Sequence, residues 1–373
     1  MINLFQPQVG ESSIEMLKSV FASNWLGRGS YVVDFEKKLS NLLNIKNNQI
    51  HTISSCSDAI FGAFEVLGVA PGSEIIVPSI SFPAIGSAIV SAGMVPKIVD
   101  IDYATGNIDL TKLADAITAR TAAVFVTHYG GIPVSIPNLR EIIGDNIYII
   151  EDAACGLGTW IDGIACGTQG DFGCWSFDAM KLLTCGEGGA IYVADSEKMT
   201  HAKEYFYLGL PVQTKSGIDR QANDARWWEY QLNCAGRRSI FTNINAAIGL
   251  PQFDTLIESL QRRTAIRTHY CDVLDKVGAN YLRQDNPRVK YSNYFFTVTT
   301  SKRDELASFL KNESIYSTFR YFPLHKIDLF SEYSTDCANA ERFANDALNI
   351  PIHQALTDSN IAQIGDALQR FFK

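Results

Sequence analysis

Ile147-Tyr148-Ile149-Ile150-Glu151-Asp152-Ala153-Ala154 is an apolar run that ends abruptly on two acids. Consecutive apolar residues without alternation predict a strand buried on both faces, the habit of parallel sheets covered by helices. Toward the N-terminus, strand-like runs recur at Ile50 to Ile53, Glu74 to Val77, Lys97 to Asp100 and Ala122 to Val126. Between them lie helix-like segments at Asp58 to Phe64, Ile85 to Ala92 and near Leu110 to Ile117. Strands alternating with helices predict an α/β fold with a mostly parallel central sheet flanked by helices. Ligands in such folds gather beyond the carboxyl ends of the strands, where Asp100, His128, Glu151 and Asp152 fall.

With 373 residues the chain is expected to divide into two domains. The pattern changes near residue 246. A long helical stretch from Ala246 to about Val277 is followed by a strand at Tyr294 to Val298, a helix at Arg303 to Leu310 and a strand near Tyr316 to Phe319. Helices are expected at Ala338 to Leu348 and Asp358 to Phe371. This predicts a large domain over 1–245 and a smaller C-terminal α/β domain over 246–373. The segment Pro211 to Ala235 is polar and aromatic without periodicity, and reads as a long functional loop.

Hydrophobic content of 46% and charged content of 19% fit a packed globule, and the net charge of -8 argues against nucleic-acid binding. No segment has the length of a membrane span, and Met1 to Pro7 lacks the features of a signal peptide. The eight cysteines are scattered without C-x-x-C pairs, which predicts reduced thiols of a cytoplasmic protein and no metal site.

Downstream of Asp152 comes Ser176-Phe177-Asp178-Ala179-Met180-Lys181, followed at once by Leu182-Leu183-Thr184-Cys185-Gly186-Glu187-Gly188-Gly189. A buried acid, a Ser, a Lys and a glycine-rich turn, in that order, are what a pyridoxal phosphate site requires. The acid pairs with the pyridinium nitrogen, the Ser holds phosphate and the Lys forms the Schiff base. Such a Lys must be nucleophilic near neutral pH, and the apolar strand end before Lys181 is expected to lower its pKa by desolvation. Taken alone, Asp152 could equally cap the next helix, and Ser176 could simply end a strand. Ser54-Ser55-Cys56-Ser57-Asp58 falls between a strand and a helix, so its N–H groups and the Ser57 hydroxyl could face a phosphate, although an ordinary N-cap has the same pattern. The glycine clusters lack the G-x-G-x-x-G spacing of dinucleotide binding, and no G-x-x-x-x-G-K-[ST] occurs.

These motifs, with Asn24-Trp25-Leu26-Gly27-Arg28-Gly29, Ala246-Ala247-Ile248-Gly249-Leu250 and Pro323-Leu324-His325, resemble the DegT/StrS family of sugar aminotransferases. These are pyridoxal phosphate enzymes of the aspartate-aminotransferase fold, fold type I. The resemblance implies homodimers with shared active sites that move an amino group from glutamate to a nucleotide-linked keto-sugar. It implies Lys181 as the catalytic Schiff-base residue and Asp152 as the ring-nitrogen partner. Ser57, Ser176 and the backbone near Cys56 would hold phosphate, with Phe82 stacked on the ring. Arg28, Trp228, Tyr321 and His325 would line the substrate pocket; for His325, a satisfied loop residue is the alternative.

Three positions depart from the family pattern. Cys155 stands where Gln or His usually touches the cofactor hydroxyl. Arg238 stands where Asn or Lys reaches the partner's phosphate, a task that suits a bidentate guanidinium. Arg226-Trp227-Trp228-Glu229 has no general counterpart; it could stack a base or sugar, or pack an interface. Lys at 181, where related sugar dehydratases carry His, points to transamination. The expected substrate is a 4-keto-6-deoxyhexose on a nucleotide. A 3-keto isomer, a cyclitol, another cofactor reaction such as dehydration or desulfuration, and a binding protein without catalysis are the alternatives.

Overall fold

The computed structural model describes residues 1–211 and 231–373. Helices α1 (Glu11–Ala22) and α2 (Ser30–Leu43) precede strand β1 (Ile50–Ile53). Then follow α3 (Cys56–Leu67), β2 (Glu74–Pro78), α4 (Pro83–Ser91), β3 (Val95–Val99), α5 (Leu113–Ala116), β4 (Thr121–Thr127), α6 (Ile136–Ile143) and β5 (Tyr148–Asp152). A short hairpin, β6 (Trp160–Ile161) and β7 (Ile164–Ala165), leads to β8 (Phe172–Ser176), β9 (Gly189–Val193) and α7 (Ser196–Tyr205). The second half holds α8 (Asn243–Gly249), α9 (Gln252–Lys276), β10 (Asn280–Tyr281), β11 (Val289–Lys290), β12 (Phe296–Thr299) and α10 (Arg303–Asn312). It ends with α11 (Ala338–Asp346), β13 (Ala347–Ile350) and α12 (Asp358–Phe372).

Seven strands form the main sheet, in the order β1-β9-β8-β5-β4-β2-β3. Neighbours from β3 to β8 pair in parallel, whereas β9 runs antiparallel to both β8 and β1. The expected mostly parallel, helix-covered α/β sheet is therefore present. Ile149 and Ile150, adjacent on β5, point to opposite faces and are both fully buried. One face packs on α3, α4 and α7 through Ile60, Phe64, Ile89 and Met199. The other packs on α2 through Val32, Phe35 and Leu39, and on α6 through Ile136 and Leu139. A separate core surrounds the antiparallel sheet β10-β12-β13, between α9, α10 and α12. The first residues join this second unit, since Ile2 pairs with Ile315.

Several expected boundaries move. The helix expected through Ala246–Val277 breaks at Pro251, which has no N–H to donate, so α9 starts afresh at Gln252. Over Leu110 to Ile117 the Asp109 side chain accepts from Thr111 N and opens a 3₁₀ turn, leaving only Leu113–Ala116 as α-helix. The strand expected at Tyr316 to Phe319 is reduced to isolated bridges at Ile315 and Thr318. Ala347 and Leu348, expected at a helix end, belong to β13 because pairing with β12 buries both. The Trp227 and Trp228 assignments lie outside the described residues.

Candidate active site

The ends of β5 and β8 set the site. In the parallel ladder Thr127, Asp152 and Cys174 lie side by side on three neighbouring strands, and so on one face of the sheet. Asp152 is 4% exposed, and its Oδ1 accepts from Ala154 N at 2.9 Å. Its other oxygen has no hydrogen-bond partner among the described residues. Burial raises the pKa of its carboxyl, opposed by the Ala154 N–H and by the charge of Lys181.

Glu151 has a different task from its neighbour. Fully buried, it accepts from Gly167 N, Gln169 N and Gly170 N at 2.9, 2.7 and 2.6 Å, and faces His128 Nε2 at 2.9 Å. His128 Nδ1 accepts from Val134 N at 3.1 Å, so Nε2 carries the proton and donates to Glu151. This pair anchors the loop before β8 and fixes the end of β5. The order of residues gave no signal for the His128–Glu151 contact.

Lys181 sits in the turn after β8. The Asp178 side chain accepts from Met180 N at 2.7 Å, and Lys181 N donates to Asp178 O at 3.1 Å. Gln252, the first residue of α9, clamps the same loop by bonding both N and O of Thr184. Gly186, at φ 79°, makes the turn that returns the chain into β9. Gly189 lets β9 approach α3: a Cβ there would stand 2.5 Å from Cys56 N.

Lys181 Nζ is 3.9 Å from Cys155 Sγ and 4.8 Å from the centre of the Tyr294 ring. Burial alone disfavours the charged amine, as the sequence led us to expect. The Cys155 thiol, the Tyr294 and Tyr321 phenols and the Asp178 carboxylate outweigh it, and the pKa lies well above the ordinary lysine range. The expected depression is therefore absent, because acidic groups rather than cations surround the amine. Burial in turn pushes the Cys155 thiol up to about 11 and the Tyr294 phenol up to about 12. Tyr294 was missed in the sequence; it arrives from the second unit and no local motif marks it.

The N-terminus of α3 lies beside β9. Ser55, rather than Ser57, caps the helix, its Oγ accepting from Asp58 N at 3.1 Å. The N–H groups of Cys56 and Ser57 belong to the first turn, where no intrahelical acceptor exists. Ser176 is buried at the end of β8, with Oγ 3.4 Å from Asp178 Oδ2. Phe82 is 40% exposed and meets Tyr321 edge-on at 5.6 Å. Buried amine, buried carboxylate with a free oxygen, helix N-terminus and exposed ring together form a donor set that fits a flat cationic heterocycle carrying a phosphate.

Other expected residues are committed elsewhere. His325 is buried with Nδ1 2.7 Å from Ser79 Oγ and Nε2 3.4 Å from Glu341 Oε1, so both nitrogens are engaged. Arg28 donates to both oxygens of Glu36, at 2.7 and 2.9 Å, and to Thr52 Oγ1 at 3.2 Å. Arg238 is exposed, with its guanidinium 5.5 Å from the Tyr207 ring and no ion pair among the described residues.

The model of the DegT/DnrJ/EryC1/StrS aminotransferase family matches residues 7–369. The chain is 36% identical to a dTDP-4-dehydro-2,3,6-trideoxy-D-glucose 4-aminotransferase of Saccharopolyspora spinosa, over 99% of this chain and 96% of that protein. It is 29% identical to a GDP-perosamine synthase of Caulobacter vibrioides, over 99% of this chain and 98% of that one. Among solved structures, the aminotransferase TlmJ of Streptoalloteichus hindustanus superposes with a TM-score of 0.92 at 37% identity, over 99% of this chain and 98% of that one.

Proposed function

The chain belongs to the DegT/DnrJ/EryC1/StrS aminotransferase family, and from that premise we propose that it moves the amino group of glutamate to a keto-sugar carried on a nucleotide, with pyridoxal phosphate as cofactor. One observation carries this proposal. The buried amine of Lys181, whose polar contact is a thiol, shares a site with the buried carboxylate of Asp152, which keeps one oxygen free.

In this assignment Asp152 would pair with the ring nitrogen and Lys181 would hold the cofactor aldehyde. Ser176, Ser57 and the Cys56 and Ser57 N–H groups would hold the phosphate, Phe82 would cover the ring and Cys155 would replace the usual partner of its hydroxyl. The bound cofactor supplies an electron sink next to the donor α-carbon. Lys181 Nζ is the acid–base: it takes the proton from the α-carbon of glutamate, and later delivers one to the sugar carbon that receives nitrogen. Arg28 and His325, being held by other residues, shape the substrate pocket, and Tyr321 forms its wall beside Phe82 and Cys155. Amination at C4 is favoured by the similarity to the Saccharopolyspora enzyme, whose name specifies a 4-keto sugar. We place the reaction in the cytoplasm, where glutamate and sugar nucleotides occur, and in a homodimer. No helix among the described residues is long and apolar enough to cross a membrane.

The test offers glutamate with a panel of 4-keto and 3-keto sugar nucleotides and measures 2-oxoglutarate together with the mass of the sugar product. A 4-amino sugar should form. A 3-amino product would move the nitrogen by one carbon, and no 2-oxoglutarate with any acceptor would end the proposal.

A further inference from the structure

Beneath the proposed ring site lies a donor set that the sequence did not suggest. Cys56 Sγ, Cys174 Sγ and a carboxylate oxygen of Asp152 lie within 4.8 Å of one another, and all three residues are buried. They come from three elements: Cys56 opens α3, Asp152 ends β5 and Cys174 is in β8, paired directly with Asp152. On the next strand Thr127, paired with Asp152, has a buried hydroxyl oxygen with no partner among the described residues. Thr127 is itself 5% exposed. A closely spaced soft donor pair, a hard donor with a free oxygen and an orphaned hydroxyl on the same face are the features of a pocket for a small polar guest.

We infer that the cofactor-free enzyme binds a thiophilic divalent cation, Zn²⁺ or Cd²⁺, at Cys56, Cys174 and Asp152. Two sulfurs and one oxygen suit such ions and select against Mg²⁺ and Ca²⁺, which take oxygen ligands. Tetrahedral coordination with bonds of about 2.3 Å to sulfur and about 2.0 Å to oxygen brings the donors to about 3.5–3.8 Å from one another. The donors therefore need to close by at most about 1.3 Å, which side-chain rotation supplies. Both thiols lose protons on binding, and the divalent charge compensates the buried anions. The unpaired Thr127 hydroxyl is placed to hydrogen-bond a water in the open fourth position. Since Asp152 cannot serve the cation and the cofactor together, the two compete; this consequence rests on the cofactor assignment made above.

The experiment titrates the cofactor-free full chain with Cd²⁺ and follows the ultraviolet thiolate-to-metal charge-transfer band. Wild type should show a band that is lost in both Cys174→Ala and Cys56→Ser, each checked for native near-ultraviolet circular dichroism; either variant suffices if the other misfolds. A band unchanged by either variant places the ion on another thiol such as Cys234 or Cys271 and overturns the site, as does the absence of any band. At Cd²⁺ one hundred times its dissociation constant, the apparent affinity for pyridoxal phosphate should fall about a hundredfold. In Cys174→Ala it should not change. A Cys174-dependent band with undiminished cofactor uptake keeps the metal site and removes Asp152 from the cofactor, so the two claims fail separately.

Discussion

Lys181 Nζ lies between the Cys155 thiol and the Tyr294 ring, and its neighbours keep it charged. An amine with a raised pKa rests protonated, so its proton-accepting form depends on what binds beside it. Arg263 also lies over the Tyr294 ring, at 5.9 Å, but a guanidinium stays charged and cannot replace the amine as a base. Lys181→Ala should therefore lower 2-oxoglutarate formation from glutamate by on the order of a thousandfold or more, measured in a single turnover. Borohydride treatment of the cofactor-loaded enzyme should place the reduced adduct on the peptide containing Lys181. A label on another lysine, or a normal turnover rate in the variant, refutes the assignment. The same scale explains why Cys155 is tolerated: with its thiol pushed up to about 11 it is neutral, and adds no second anion beside Asp152.

Among the elements, α2 and β1 are joined by a buried clasp. Glu36 of α2 accepts from Thr52 N and Thr52 Oγ1 of β1, at 2.7 and 2.8 Å, and from Arg28. Arg28 Nη2 lies 3.3 Å from His51 Nδ1, which acts as acceptor and keeps the ring neutral. Burial first, then Arg28, lowers the His51 pKa from 6.5 to about 4, against the pull of Glu36. His353, buried where it donates to Asn3 O, is likewise lowered to about 4 by burial. A histidine whose folded pKa is depressed leaves the unfolded chain holding more protons between the two values. Stability is then fully present above pH 6.5 and declines as pH falls toward 4, by roughly 1.4 kcal/mol per pH unit for each ring. Glu36, also held well below the usual carboxylate range, extends the loss to lower pH. Urea midpoints at pH 7 and pH 5 should show this decline in wild type, and about half of it in His51→Gln. An identical decline in the variant would exclude His51 as a source.

At the scale of the whole molecule, the site draws on both units. Lys181 and Asp152 come from the main sheet, whereas Tyr294 and Tyr321 come from the part of the chain surrounding β12. The long helix α9 connects the two: its Gln252 bonds Thr184 in the loop before β9, and its fully buried Arg263 donates to Asn293 O and Ile352 O at 3.2 and 2.8 Å. Arg238, exposed on one chain, is proposed to complete the phosphate site of a second copy. Mixing Arg238→Ala chains with Lys181→Ala chains tests this directly. A hybrid dimer with shared sites carries one site with both defects and one with neither, so activity at limiting cofactor should recover to about half that of wild type per hybrid. If each site lies within one chain, both sites of the hybrid stay defective and the mixture gains nothing. Single Arg238→Ala should also release pyridoxal phosphate faster on dialysis.

Local chemistry carried far in this chain. The unbroken apolar runs ending in Asp152 and Ser176 fixed where the strands stop, because a strand buried on both faces has no other composition open to it. The turn at Gly186 to Gly189 and the lysine before it were visible for the same reason: tight turns and covalent chemistry each demand particular residues. What depended on pairing was hidden. The antiparallel strand β9, the conversion of Ala347 and Leu348 from helix to strand, and the clasp of Glu36 with Arg28 and His51 all follow from partners distant in sequence. The charge state of Lys181 was misjudged because desolvation is a local property, whereas Tyr294, 113 residues away, is not. Cys56, Asp152 and Cys174 carry no spacing rule at all; only folding brings two sulfurs and an oxygen within 4.8 Å, since a sheet sets neighbours by register rather than by sequence order.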